Sequence, residues 1–186
     1  MSADLLFDVP DTTIIMNGKK QGSGYRIIDG KVLARSQSVW FTNIDHGRRH
    51  QPLALMTMAD NLRFSKHKEL KGKTAYDRYD NYDAIEVPFT DAIPSDYDGV
   101  MGVPISFLDK YCPEQFEILG MCENEDLYSM KTRVYTTPEC RTAYLKKFGK
   151  TGTYDLNASG VITRNGIQEK VYQRILIINR KFMSNN

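Results

Sequence analysis

No stretch of this chain is apolar enough to cross a bilayer. The longest strongly apolar run, Ile175-Leu-Ile-Ile178, falls far short of the roughly 20 residues that spanning requires. Cysteine is scarce: Cys112, Cys122 and Cys140 form an odd set with no Cys-x-x-Cys pair, which fits reduced thiols better than a disulfide frame or a zinc site. The first eight residues, Met1 to Asp8, lack the basic region and cleavage site of a signal peptide, so the chain reads as soluble and cytoplasmic. Repeats and low-complexity runs are missing, which excludes collagen-like, mucin-like and coiled-coil classes. Catalytic motifs are missing too. There is no phosphate-binding Gly-Lys-Ser/Thr loop and no Gly-x-Ser-x-Gly elbow, and Gly22-Ser-Gly24 is too short for a dinucleotide loop. His46 and His50 are four apart but lack the Glu of a His-Glu-x-x-His motif, and Arg48 and Arg49 between them would repel a metal cation.

What is present describes a globular protein. Its 186 residues suit one domain, or a domain with a small appendage. Eleven Tyr and eight Phe argue against disorder, because disordered chains are poor in aromatics. The net charge of +2 conceals a strong polarity along the chain. Arg48, Arg49, Arg63, Lys66, Lys68, Lys71 and Lys73 face only Asp60 and Glu69. Asp77, Asp80, Asp83, Glu86, Asp91, Asp96 and Asp98 follow, against a lone Arg78. Two solvated faces explain the pattern, and so does a basic strip for phosphates with salt-dependent contacts.

The local pattern predicts an α+β protein, an antiparallel-rich sheet with hairpins and a few short helices. Thr12–Met16 with Asn17-Gly18, and Tyr25–Leu33 around Asp29-Gly30, read as hairpins. Ser38–Asn43 reads as a strand carrying Trp40 and Phe41, for which core packing outweighs stacking on a base. Pro52–Leu70 is the early helical candidate, with Glu69 and Lys73 as an i,i+4 pair if it runs on. Ala84–Val87 and Phe116–Gly120 read as strands, and Val103–Tyr111 as a strand end passing into a helical turn. Thr137, Pro138 and Glu139 start a helix that Gly149 would cap. Val171–Ile178, after the turn Asn165-Gly166, reads as a buried strand. The division expected is 1–39 for N-terminal hairpins and 40–186 for the remainder.

Trp40-Phe-Thr-Asn-Ile-Asp-His-Gly-Arg-Arg-His50 resembles a block of the adenine-specific DNA methyltransferases of the EcoRI type. Tyr79–Val87 and the long run Ile93–Tyr111, continuing through Pro113–Gly120, are similar to further blocks of that family. Val171–Ile178 is consistent with its C-terminal strand. The resemblance covers roughly Trp40 to Lys181. It implies methyl transfer from S-adenosylmethionine to the N6 of adenine in double-stranded DNA, in a restriction-modification setting. Members need a glycine-bearing cofactor loop and an Asn/Asp-Pro-Pro-Phe/Tyr motif. The prolines here, at 10, 52, 88, 94, 104, 113 and 138, include no adjacent pair. The expectation is therefore a C-terminal, DNA-recognition part with no cofactor of its own and no catalytic residue. A missing N-terminal catalytic half or subunit would be its partner, without membrane involvement.

The expected DNA contacts are Arg48, Arg49, Arg63, Lys66, Lys68, Lys71 and Lys73 on phosphates. Asn43, Asn61 and Arg63 are the candidates for base edges. Asp96, Asp98 and Asp109 would fix turns. A second reading stays open at this level: a stand-alone protein- or DNA-binding module without enzymatic activity, for example a regulatory or DNA-mimicking protein using the Tyr/Asp surface.

Overall fold

Asp29 and Gly30 both take left-handed backbone, with φ of 49° and 75°, the geometry that lets two residues reverse a strand. They join β2 (Tyr25–Ile28) to β3 (Lys31–Val39), as their sequence predicts. The computed structural model describes residues 2–8, 25–39, 45 and 47–185. The Thr12–Met16 hairpin and the aromatic pair Trp40 and Phe41 lie outside them. The chain divides into two units between Asp45 and His46.

The first unit is a three-stranded antiparallel sheet in the order β1-β3-β2, with β1 at Ser2–Asp8. β3 pairs with both neighbours, Leu33 lying opposite Asp8 on one side and Arg26 on the other. Val32 is buried, while Phe7, Tyr25, Ile27 and Ile28 are exposed.

The second unit is built on a four-stranded sheet in the order β4-β5-β9-β6. β4 is Ala84–Glu86, β5 Val100–Pro104, β6 Phe116–Met121 and β9 Arg174–Asn179. β4 and β5 run parallel, and β9 is antiparallel to both β5 and β6. The two faces of a strand alternate residue by residue, and both faces of β4, β5 and β9 are largely buried, whereas β6 exposes Ile118. Ile85, Met101, Val103, Ile175 and Ile177 join Phe107 and Phe116 in one layer. Ala84 and Leu176 turn the other way, towards Tyr79, Tyr82, Cys122 and Ile162. A third cluster, Tyr135, Cys140, Ala143, Leu156 and Val161, lies under the long helix.

That helix, α2, spans Thr137–Phe148. It starts at Thr137, as the sequence suggests, with Thr136 as the cap: the Glu139 carboxylate accepts both the Thr136 N–H at 2.7 Å and its hydroxyl at 2.8 Å. Gly149 closes the other end at φ 67°, where a side chain would be strained. The early helix is much shorter than expected. α1 is only Met58–Phe64, capped by Thr57, whose hydroxyl accepts the Asp60 N–H at 3.1 Å. The Pro52–Thr57 stretch is drawn away from helix because distant residues take its backbone. Gln115 bonds both the N–H and the C=O of Leu53, and the Ser95 N–H donates to Met56 O. Asp96 accepts the Met58 N–H at 2.7 Å.

Two further elements differ from expectation. Asn165 and Gly166, at φ 51° and 74°, join a separate hairpin of β7 (Val161–Arg164) and β8 (Ile167–Lys170). The buried strand then begins only at Arg174, three residues later than the apolar run predicts. Among the described residues no helix is long and apolar enough to cross a membrane.

Candidate nucleic-acid interface

Among the described residues, six cations between Arg48 and Lys71 meet no carboxylate. Arg48, Arg49, Arg63, Lys66, Lys68 and Lys71 form no ion pair among the described residues, while Lys73, Arg78, Arg133, Lys147, Arg164, Arg174 and Arg180 all do. All six are exposed except the half-buried Arg49. Exposed cations that meet no carboxylate among the described residues leave their field open to a partner outside the chain, although Arg63 also lies over the Phe64 ring, 5.0 Å from its centroid.

Two imidazoles anchor the segment that bears them. The short turn Gly47–His50 is tied to the start of β6 by His50 Nδ1, 2.5 Å from Glu114 Oε1. Bonds from the Cys112 thiol and then from His50 hold the Glu114 carboxyl below the usual range. Further on, His67 stacks on Phe89 with ring centroids 3.6 Å apart, and its Nε2 lies 3.0 Å from Asp91. Arg63 and Lys73 line one shallow cavity of about 500 Å³ at α1. Arg48 and Arg49 lie on the turn that His50 ties to Glu114, and Lys66 and Lys68 flank His67 in the chain.

Two expected contacts sit elsewhere. Lys73 is engaged inside the chain: its Nζ lies 2.6 Å from Asp77 Oδ2, which also receives Arg164 Nη2 at 2.5 Å. The helix that would have set it beside Glu69 stops at Phe64, so the Glu69 pair does not form. Burial opposes ionisation of Asp77, but the bonds from Lys73 and Arg164 outweigh it and hold the carboxyl low. Asn61 is wholly buried, its amide donating to Ala92 O at 3.3 Å, and no base edge reaches it. Asn43 lies outside the described residues.

Most of the acidic block is engaged within the chain, although Asp83, Asp91, Asp96 and Asp98 remain exposed. Asp77 serves Lys73 and Arg164, Asp80 accepts from the Thr163 hydroxyl, Asp83 pairs with Arg78 and Asp91 with His67. Glu86 is the most deeply placed. It lies on the Leu176 side of the sheet, paired with Arg174 at 2.6 Å, the two side chains 5% and 9% exposed. The Tyr79 hydroxyl donates to the other carboxylate oxygen. Burial, then the Glu86 charge, push that hydroxyl well above its ordinary range. The same two causes push the neighbouring Cys122 thiol, which is wholly buried, up to about 12. Gly102 makes this packing possible: a Cβ there would enter the Tyr79 phenol group, and one at Gly160 would strike the same ring. The sequence did carry a signal for this network. Glu86 and Arg174 are charges set at buried positions of otherwise apolar strands, where only a mutual partner makes them tolerable.

A cavity of about 1000 Å³ opens beside this ion pair, its wall bearing Lys147, Arg164, Lys170 and Tyr172. Among the described residues no three His, Cys, Asp or Glu side chains gather as a metal-binding group.

The family described as adenine-specific methyltransferase EcoRI matches residues 2–181. Type II methyltransferase M.EcoRI of Escherichia coli is 43% identical over 96 residues, 52% of this chain and 26% of that protein. Type II methyltransferase M.MpnI of Mycoplasma pneumoniae is 33% identical over 110 residues, 58% of this chain and 31% of its own. M.MgeORF184P of Mycoplasma genitalium, also a type II methyltransferase, is 38% identical over 98 residues, 52% of this chain and 28% of its own. The chain thus spans about a quarter to a third of the curated relatives it matches. No solved structure gives a significant match.

Proposed function

Because the chain belongs to the family of the EcoRI adenine-specific methyltransferase, we propose that it is the DNA-recognition part of an adenine-N6 DNA methyltransferase of a restriction-modification system. The observation that carries this reading is the run of six cations, five of them exposed, that pair with no carboxylate among the described residues. Arg48, Arg49, Arg63, Lys66, Lys68 and Lys71 neutralise phosphates and fix the position of the duplex. Asn43 is the candidate for base edges, and Lys73, beside Arg63 on the cavity at α1, is held by Asp77. The Tyr/Asp surface draws less support as a DNA mimic, since Asp77, Asp80, Asp83, Glu86 and Asp91 are engaged within the chain.

Methyl transfer would take its donor, S-adenosylmethionine, in another part of the enzyme. The described residues fit that group poorly: none of their glycine-bearing turns leads from a strand directly into an α-helix. The β4–β5 connection, which joins the parallel pair, runs instead through Pro88, the short turn Thr90–Ala92 and Pro94.

Mobility shifts of duplex DNA over a salt series test the reading. Affinity should fall as salt rises, and the combined Lys66→Gln, Lys68→Gln and Lys71→Gln variant should lower the log–log slope by about 2 to 3. Affinity indifferent to salt would overturn the DNA assignment. Titration calorimetry with S-adenosylmethionine should show no binding, and tight binding would overturn the placing of the donor elsewhere.

A further inference from the structure

Between β8 and β9 the segment Val171 to Gln173 belongs to no strand, yet each of its residues is held by its backbone. The Val171 N–H donates to Gly160 O at 3.0 Å, and Val171 O accepts the Ser159 hydroxyl at 2.5 Å. Arg174 Nη1 donates to Tyr172 O at 3.2 Å and to Gln173 O at 3.4 Å. Arg174 is itself fixed by Glu86, so the buried ion pair is the footing of an exposed loop. The loop carries Tyr172 outward with 89% of its surface in water. A lone exposed apolar residue needs no explanation, but this one is held out on a fixed backbone. It stands on the wall of the 1000 Å³ cavity beside Lys170, which pairs with no carboxylate among the described residues. Gln173, also exposed, follows it in the chain.

We propose that Tyr172 is a stacking platform for an unpaired nucleobase, with Lys170 on the adjoining phosphate and Gln173 at the edge of the base. A flat ring that shares a cavity wall with a cation pairing with no carboxylate among the described residues matches the two halves of a nucleotide, its π-face and its phosphate. An apolar protein partner would instead prefer a surround free of charge. The assignment rests on the reading of the chain as a DNA-recognition part and adds to it a contact outside the basic strip. It also gives the buried ion pair a second role. Glu86 and Arg174 are positioning residues that hold the loop in the shape a base meets.

The test uses the intact chain and DNA duplexes carrying 2-aminopurine, either in a one-nucleotide bulge or fully paired. The chain should quench the bulged probe and bind that duplex on the order of tenfold more tightly than the paired one. Tyr172→Phe should keep both properties, because stacking needs the ring and not the hydroxyl. Tyr172→Ala should lose both while binding the paired duplex as before, and its circular dichroism should match the parent. Quenching and preference retained in Tyr172→Ala would overturn the inference, as would an equal loss on both duplexes. Binding of the paired duplex without any preference would sink the stacking role alone. Failure to bind either duplex would sink the DNA reading along with it.

Discussion

Glu86 and Arg174 lie on strands of one sheet, 5% and 9% exposed, and hold each other at 2.6 Å. Lys66, Lys68 and Lys71 stand in water with no carboxylate among the described residues. The two regions use charge in opposite ways. Removing a charge from water is costly, so the inner pair exists only because each partner, with the Tyr79 hydroxyl and the loop carbonyls, offsets the other's desolvation. The outer cations carry no such cost and make no internal contact of that strength. A charge whose partner is in the same chain reports on folding, and one without such a partner reports on what the chain meets.

That contrast breaks most visibly at Glu86. Glu86→Ala strands the Arg174 guanidinium without a counter-charge and should cost about 3–5 kcal/mol, read from urea denaturation. The double change Glu86→Met with Arg174→Met should recover much of the loss, since an apolar pair can replace a buried ionic one. A double variant as unstable as Glu86→Ala would show that the pair stabilises the fold beyond mutual compensation. Next comes Gly102→Ala, whose new methyl group must displace the Tyr79 ring. Overpacking of this kind costs about 1–3 kcal/mol, and denaturation with an unchanged m-value is the check.

Asp77 sharpens the contrast at intermediate exposure, and its effect should be smaller. Its carboxyl is held below the usual range, so the fold binds the ionised form. The stability it supplies is complete above the ordinary carboxylate pKa and disappears as pH falls through the lowered folded value. Asp77→Asn should therefore cost about 1 kcal/mol at neutral pH, with solvent screening part of the interaction. Its melting temperature should approach that of the parent in acid, and a constant gap across the pH range would refute the linkage. The smallest stability effect belongs to the strip. Lys66→Gln, Lys68→Gln and Lys71→Gln together should move stability by no more than about 0.5 kcal/mol, although duplex affinity falls. A large loss of stability would mean that these lysines serve the fold after all.

Much of the fold was legible in both units because its signals are local. Pro138, Glu139 and Gly149 mark α2 within one turn of each end, and Asp29-Gly30 marks its turn through the positive φ that Gly accepts freely. The early helix was overextended because its apolar spacing says nothing of Gln115, which claims the Leu53 backbone from 62 residues away. The β7–β8 hairpin went unread although Asn165-Gly166 signals it, since the apolar run beyond drew the strand too early. At the candidate site the basic strip was visible as composition, but Asn61 looked available to DNA until the fold buried it.

The residues by themselves determined the α+β class, the positions of most turns and the concentration of cations between Arg48 and Lys73. They also bore the family resemblance, through blocks that survive as linear patterns. Tertiary structure alone decided which charges remain for a partner. Arg164 reaches Asp77 across 87 positions and Arg174 reaches Glu86 across 88, and no local spacing encodes such pairs. The reason is physical: sequence fixes where a charge is attached, whereas its energy depends on the dielectric and the counter-charges around it, which exist only once the sheet has closed.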